Sequence, residues 1–405
     1  MLKLSLSRIN ELFALLSDEM ELYLPICESG LTVFRKWSPG ADVRLDILST
    51  AMSPKNFFFP TAEDIASFKL TGKEIEIKES YINTKPFAIF GIRACDIVGI
   101  EILDKIFLSE PIDTFYKSRR ENGIIISTAC GAPEETCFCE TFNINATEPK
   151  GGDINTWITN DFLFWNALTE KGQMLTEKVT GIFEAINDND VRLIQDEQTK
   201  TKEIFAKLPF ADLKLNVTNA PDKQSQGCLR SLFCENSGVD PDGSQKSGAN
   251  NPDSATTNGK SVANNPASAG TNSKSGSLEL FDSPQWDSLF ATCLSCSTCT
   301  YICPTCHCYD IGDFDTGSEV RRFKCWDSCM NSDFTLMAHG NPRPGLKERF
   351  RQRYMHKLVY FPENNDGITA CVGCGRCVRK CPISMNIVKV IKSLSEAERN
   401  ENNNV

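Results

Sequence analysis

Cys293-Leu-Ser-Cys296-Ser-Thr-Cys299-Thr-Tyr-Ile-Cys303-Pro304 recurs, in the same spacing, as Cys371-Val-Gly-Cys374-Gly-Arg-Cys377-Val-Arg-Lys-Cys381-Pro382. Three thiolates two residues apart wrap three irons of a cubane from one short loop. The proline after the fourth cysteine turns the chain away with no amide hydrogen to satisfy. In two-cluster ferredoxins the fourth cysteine of each run ligates the other cluster. The pattern therefore predicts two [4Fe–4S] clusters, one held by Cys293, Cys296, Cys299 and Cys381 and the other by Cys371, Cys374, Cys377 and Cys303. Paired CxxC motifs also serve zinc, but tetrahedral zinc takes four ligands and has no use for a third cysteine and a Cys-Pro, twice over.

Residues 304–370, between the two motifs, form a far longer insert than a minimal ferredoxin carries. Their patterning predicts a mainly α-helical two-cluster domain over residues 278–392, in which Ser283-Pro284 opens a helix carrying Trp286, Leu289 and Phe290. Within the insert, the run from Asn341 to Lys357 holds Arg343, Lys347, Arg349, Arg351 and Arg353 in an otherwise acidic chain. It reads either as a docking surface or cluster-charge compensation, or as an ordinary solvated helix face.

Outward from the motifs, residues 1–215 read as an α/β domain. Ile9, Leu12, Phe13 and Leu16 recur at helical spacing. Phe87–Ile92 is a buried-strand run, followed by Arg93-Ala94-Cys95-Asp96 and a helical pattern to Phe107, with Asp96 placed as the cap. A second such strand, Ile124–Ser127, leads into Thr128-Ala129-Cys130. Cys95 and Cys130 thus fall just past strand carboxyl ends, where open α/β sheets place ligands. With Cys137 and Cys139 they make four thiols, the number a third iron–sulfur cluster requires; the alternative is ordinary buried cysteine. Cys306, Cys308, Cys325 and Cys329 read as packed thiols, and His307, His339 and His356 show no metal spacing.

Residues 219–276 turn to Ser, Asn, Gly, Lys and Asp, with a near-duplicate at 247–260 and 261–274, and read as a disordered linker; Cys228 and Cys234 at its start are weak ligand candidates. Residues 393–405 read as a polar tail. The chain has 405 residues, nineteen cysteines in mostly tight local spacings, and a net charge of −10, which argues against a nucleic-acid partner. No leader pattern and no spanning apolar run is legible, so a reducing cytoplasmic setting is expected, without membrane insertion.

The run GIRACDIVGIEILDKIF at 91–107, SPKNFFFP at 53–60, TCFC at 136–139, CLSCSTCTYICPTCHCYD at 293–310, WDSCM at 326–330, the NPRP stretch and CVGCGRCVRKCP resemble the beta subunits of cytoplasmic [NiFe] hydrogenases of the sulfhydrogenase type. They are equally similar to the corresponding iron–sulfur subunit of anaerobic sulfite reductase. The resemblance covers nearly the whole chain outside 219–276. It implies a non-catalytic electron-transfer subunit, with a flavin-containing NAD(P)H diaphorase subunit on one side and, on the other, a catalytic subunit of [NiFe] hydrogenase or sulfite/sulfur reductase. The eight motif cysteines fall on the cluster-ligand positions, and Cys95, Cys130, Cys137 and Cys139 on the N-terminal cysteine positions; Cys325 matches none. Read from the residues, an iron–sulfur redox sensor is the alternative, but a sensor would carry an output module such as a basic DNA-reading helix. No GxGxxG opens a strand–helix turn, so the chain shows no nucleotide pocket of its own.

Overall fold

The computed structural model describes residues 1–47, 49–71, 74–79, 85–213 and 280–402. The linker expected at 219–276, with Cys228 and Cys234, lies outside the described residues.

The strands of the first half are β1 (Leu2–Ser5), β2 (Glu21–Glu28), β3 (Leu31–Lys36), β4 (Ala62–Thr71), β5 (Glu74–Glu79), β6 (Phe87–Ile92), β7 (Gly123–Thr128), β8 (Ile154–Ile158), β9 (Phe162–Ala167) and β10 (Glu184–Ala185). Eight of them form one sheet in the order β10-β1-β9-β8-β7-β6-β2-β3. Its centre, β2, β6, β7 and β8, is parallel; the outer pairings are antiparallel. Every side chain of β6 is buried, as a central strand covered on both faces requires.

Helix α1 (Ile9–Glu19) lays Leu12, Phe13 and Leu16 on one face of the sheet, against Leu22, Phe90 and Trp165. On the other face, α2 (Ala94–Phe107) and α3 (Thr114–Asn122) bring Ile97, Leu103 and Tyr116 against Ile89 and Ile125. Asp113 caps α3 by accepting from the Tyr116 amide at 2.9 Å. Asp96 does not cap α2 as expected: Arg93 occupies the N-cap position, and the Asp96 carboxylate is committed to an ion pair. Helices α4 (Glu170–Val179) and α5 (Asp188–Phe205) complete this half, α5 opening on a capping box between Asn187 and Asp190.

The second half contains α6 (Gln285–Phe290), α7 (Thr298–Tyr301), strands β11 (Tyr309–Asp315) and β12 (Glu319–Trp326), and α8 (Leu346–Met355), which runs on through a π-helical turn at His356–Tyr360. It ends with α9 (Arg376–Lys380) and α10 (Ile387–Asn402), so helix extends into the segment read as a tail. The expected mainly helical character is met only in part. β11 and β12 form a hairpin that joins β4 and β5 in a second, antiparallel sheet, ordered β11-β12-β4-β5. That hairpin ties the insert between the cysteine motifs to the first half of the chain. The halves also share one apolar core, in which Phe138, Phe142 and Phe205 meet Trp286, Phe350, Leu358 and Ile391.

Candidate metal centre

Cys293 and Cys296 sit on a loop that turns twice through left-handed backbone, at Ser295 and Ser297 (φ 52° and 58°), and leads into α7, which carries Cys299. Those turns are pinned: Ser295 Oγ donates to Met330 O at 3.0 Å, and Ser297 Oγ to Asn331 Oδ1 at 2.7 Å. The loop and Cys381 line one recess, with Met330, Phe350, Arg353 and Tyr354 in its wall. The far motif's fourth cysteine is thus brought to the near motif's first three.

Arg353 is 3% exposed. Its Nη2 donates to Cys299 O at 3.3 Å, while Nε and Nη1 have no hydrogen-bond partner among the described residues. The thiols that bear most on its charge are Cys299 of this set, Cys377 of the next and Cys306. A buried guanidinium with unspent donors calls for an anion. A thiolate-ligated cubane is anionic, and its sulfurs accept hydrogen bonds. Donor set and charge both fit such a cluster.

Cys371, Cys374, Cys377 and Cys303 make the second set, each of the first three feeling the charge of Cys303. Lys357, also buried, donates to Cys303 Sγ at 3.4 Å, Thr305 Oγ1 at 2.8 Å and Ala370 O at 2.9 Å. Burial pushes the Cys371 thiol up to about 12 and raises Cys374 and Cys377 as well. Cys303 moves the opposite way, chiefly because the Cys306 thiol hydrogen-bonds it, with the Lys357 ammonium adding to the effect.

The 371–377 loop is seated on the TCFC segment of the first half. Phe138 N donates to Gly373 O at 2.9 Å. Gly373 and Gly375 have φ of +58° and +72°, and a Cβ on either would lie 2.3 Å from a carbonyl oxygen, that of Phe138 or of Thr136. Only glycine permits both the backbone conformation and the approach.

That contact delivers the third set. Cys95 follows β6 and Cys130 follows β7, at the carboxyl ends of parallel strands, while Cys137 and Cys139 come from the loop under Gly373. Cys95 interacts with Cys139 and Cys374, and Cys137 with Cys130 and Cys374. The four N-terminal cysteines are therefore gathered together, and next to the second set. Burial pushes Cys137 up to about 12 and raises Cys95, Cys130 and Cys139. Two arginines flank them: Arg93, whose Nη2 donates to Leu45 O at 2.9 Å, and Arg376, which pairs with Asp96.

Among the described residues, no three Cys, His, Asp or Glu side chains converge closely enough for a single metal ion. A cubane spreads its four thiolates around four irons, a wider spacing than one zinc ion gathers.

The basic stretch is neither solvated nor a docking face throughout. Arg353 and Lys357 point inward at the cysteines, Arg351 stacks 3.5 Å over the Phe281 ring, and Arg349 donates to Pro344 O at 2.6 Å. Cys325 lies on β12 opposite Asp310, apart from the three sets. Cys306, Cys308 and Cys329, expected as packed thiols, instead adjoin the second set: Cys306 bonds Cys303, and Cys308 bonds Cys329. His307 and His356 meet edge to face at 5.6 Å, and burial pushes both down to about 4. Lys55 and Arg93 also belong to the site's surroundings, and nothing in their spacing marks them for it.

The family described as the 4Fe-4S dicluster domain matches residues 292–385. The chain is also 28% identical over 389 residues to the sulfhydrogenase 2 subunit beta of Pyrococcus furiosus, covering 95% of this chain and 96% of that one. No solved structure was found to match. The chain is accordingly an iron–sulfur protein whose dicluster domain binds two [4Fe–4S] clusters, and it is similar to one component of a larger assembly. Among the described residues, no helix is long and apolar enough to cross a membrane.

Proposed function

We propose that this chain is the electron-transfer subunit of an anaerobic oxidoreductase, set between a catalytic subunit of hydrogenase or sulfite/sulfur reductase type and a flavin-containing NAD(P)H diaphorase subunit. The observation that carries the reading is the continuity of the three cysteine sets. Arg353 bears on both Cys299 and Cys377, and Cys374 on both Cys95 and Cys137.

In this reading Cys293, Cys296, Cys299 and Cys381 hold the first cluster, Cys371, Cys374, Cys377 and Cys303 the second, and Cys95, Cys130, Cys137 and Cys139 a third. Bound clusters supply one-electron carriers whose potentials respond to burial, charge and hydrogen bonds to sulfur. The chain's own residues supply those influences. Arg353 offers N–H donors between the first two sets, Lys357 fixes Cys303, and Arg93 and Arg376 flank the third. Terminal chemistry belongs to the partners, and a cytoplasmic setting suits thiols kept reduced.

The test is anaerobic reduction followed by EPR. The isolated chain should be reduced by dithionite but not by NAD(P)H, and NAD(P)H should become effective when a flavin-containing diaphorase subunit that binds the chain is added. Reduction by NAD(P)H alone would place a flavin in this chain and overturn the assignment.

A further inference from the structure

Lys357 stands on the π-helical turn after α8, four residues beyond Arg353, and is 4% exposed. Its Nζ donates to Cys303 Sγ at 3.4 Å, Thr305 Oγ1 at 2.8 Å and Ala370 O at 2.9 Å. Each of these atoms can only accept from it. A metal-ligating sulfur has no hydrogen, Ala370 O is a carbonyl, and Thr305 Oγ1 gives its one hydrogen to Ala370 O at 2.7 Å. Three acceptors around one nitrogen call for three N–H groups, so the side chain is an ammonium with every donor spent. The main chain of the same residue holds Ala370 again, because Ala370 N donates to Lys357 O at 3.0 Å. Lys357 thus clamps together the two segments that build the second set: Cys303 with Thr305 at the end of the first motif, and Ala370, which leads into Cys371.

The first set has no counterpart to this clamp. Its recess is walled by Met330, Phe350, Arg353 and Tyr354, and no described residue lining it is a lysine. Arg353 bears on both sets, so its charge does little to rank them. Of the other cations near the second set, Arg376 is neutralised by Asp96, and Lys55 Nζ donates to Cys306 O at 2.9 Å rather than to a sulfur. Solvent ranks the two sets the other way, since Cys296 is exposed and Cys371 buried. Burial by itself makes a cluster harder to reduce, because the added negative charge is cut off from water.

We propose that Lys357 reverses that order: its ammonium, hydrogen-bonded to the Cys303 sulfur, stabilises the reduced second cluster, so the first electron to enter the dicluster rests there and not on the exposed first cluster. One electron arrives, no bond breaks and no proton moves, because Lys357 already carries its proton. Lys357 is a positioning residue, acting through Cys303. The exposed first set then serves exchange with a partner, and the buried second set holds the electron. This ordering rests on the ligand assignment and relay proposed above, and adds which cluster fills first.

The experiment is pulsed EPR on the full iron-loaded chain, purified anaerobically and labelled with nitrogen-15 at its lysine side chains. In samples poised where one cluster of the dicluster is reduced, before the spin-coupled signal grows in, the electron spin should couple to a lysine nitrogen. Lys357→Met should abolish that coupling and lower the electron affinity of this first step about tenfold, or about 59 mV, in a redox titration. Lys347→Met should change neither. A coupling that appears only when both clusters are reduced puts the first electron on the other cluster and overturns the proposal. So does an unmoved potential in Lys357→Met with both clusters in place. Should that variant fail to bind iron, the labelled wild-type chain decides: a first electron with no lysine coupling overturns the ordering. No partner enters this experiment, so its failure is distinct from failure of the NAD(P)H test of the relay.

Discussion

Arg376 and Asp96 join the two halves of the chain through a bidentate ion pair, Nη1 to Oδ1 at 2.6 Å and Nη2 to Oδ2 at 2.7 Å, with both side chains 1% exposed. Arg376 follows Cys374 by two residues, and Asp96 follows Cys95. The pair therefore fixes the second cysteine set against the third. Arg376 Nε also donates to Thr50 O at 3.0 Å, and Arg379 pairs with Glu134 nearby, so the contact is doubled across the same seam.

Removing one partner of a buried pair leaves the other uncompensated, a cost of about 3–5 kcal/mol. Asp96→Asn should lower stability by that order, while Asp96→Asn combined with Arg376→Met should recover much of the loss. Denaturant melts of the two variants and of the single Arg376→Met form a cycle that checks the coupling.

Gly373→Ala and Gly375→Ala should each dislodge the loop from the TCFC segment, because the new Cβ meets a backbone carbonyl at 2.3 Å and φ is positive. Iron bound per chain should fall, with melting temperature following. Gly131→Ala, where an added Cβ meets nothing within 4 Å, should leave both unchanged.

Arg353→Met should make the dicluster harder to reduce. A positive charge near a cluster favours the more negative, reduced state, so its loss lowers the potential. A tenfold change in electron affinity corresponds to about 59 mV for a one-electron couple, and a shift of that order is expected in an EPR-monitored titration. Lys347→Met, which removes only a surface partner of Asp287, should leave the potential unmoved.

Reconstitution of the cluster-free chain should depend on pH in a definite sense. Ligand thiols must lose their protons to bind iron. Burial holds Cys371 and Cys137 up at about 12, so near neutrality both are protonated and binding releases those protons. Iron uptake at fixed iron and sulfide should therefore rise between about pH 7 and pH 9, and a weakly buffered sample should acidify as clusters form.

Much of this architecture was legible because its signals are local. The continuous apolar run of β6 followed by the helical pattern to Phe107 matches α2 at its last residue, and the cysteine spacing marks the dicluster domain. The hairpin at 309–326 was not legible. β11 carries exposed side chains on both faces, with Asp313 paired to Arg322 across the ladder, so no one-sided alternation marks it, and β12 enters the sheet by pairing along its other edge with β4, more than two hundred residues earlier. The inward turn of Arg353 and Lys357 was hidden for a different reason. Basic residues on a helix read as solvated until the partner that neutralises them is known, and here those partners are thiols distant in sequence. Cys306, Cys308 and Cys329 needed the same hairpin before they could meet.

An electron path running through all three cysteine sets can be probed by pairing iron quantitation with EPR of the dithionite-reduced chain, in wild type and in Cys137→Ala/Cys139→Ala. Such a path requires that the variant lose about four irons and that the wild-type spectrum show magnetic coupling between the dicluster and an additional cluster, absent from the variant. Equal iron in the two proteins, with superimposable spectra, would contradict it and confine the path to the dicluster domain.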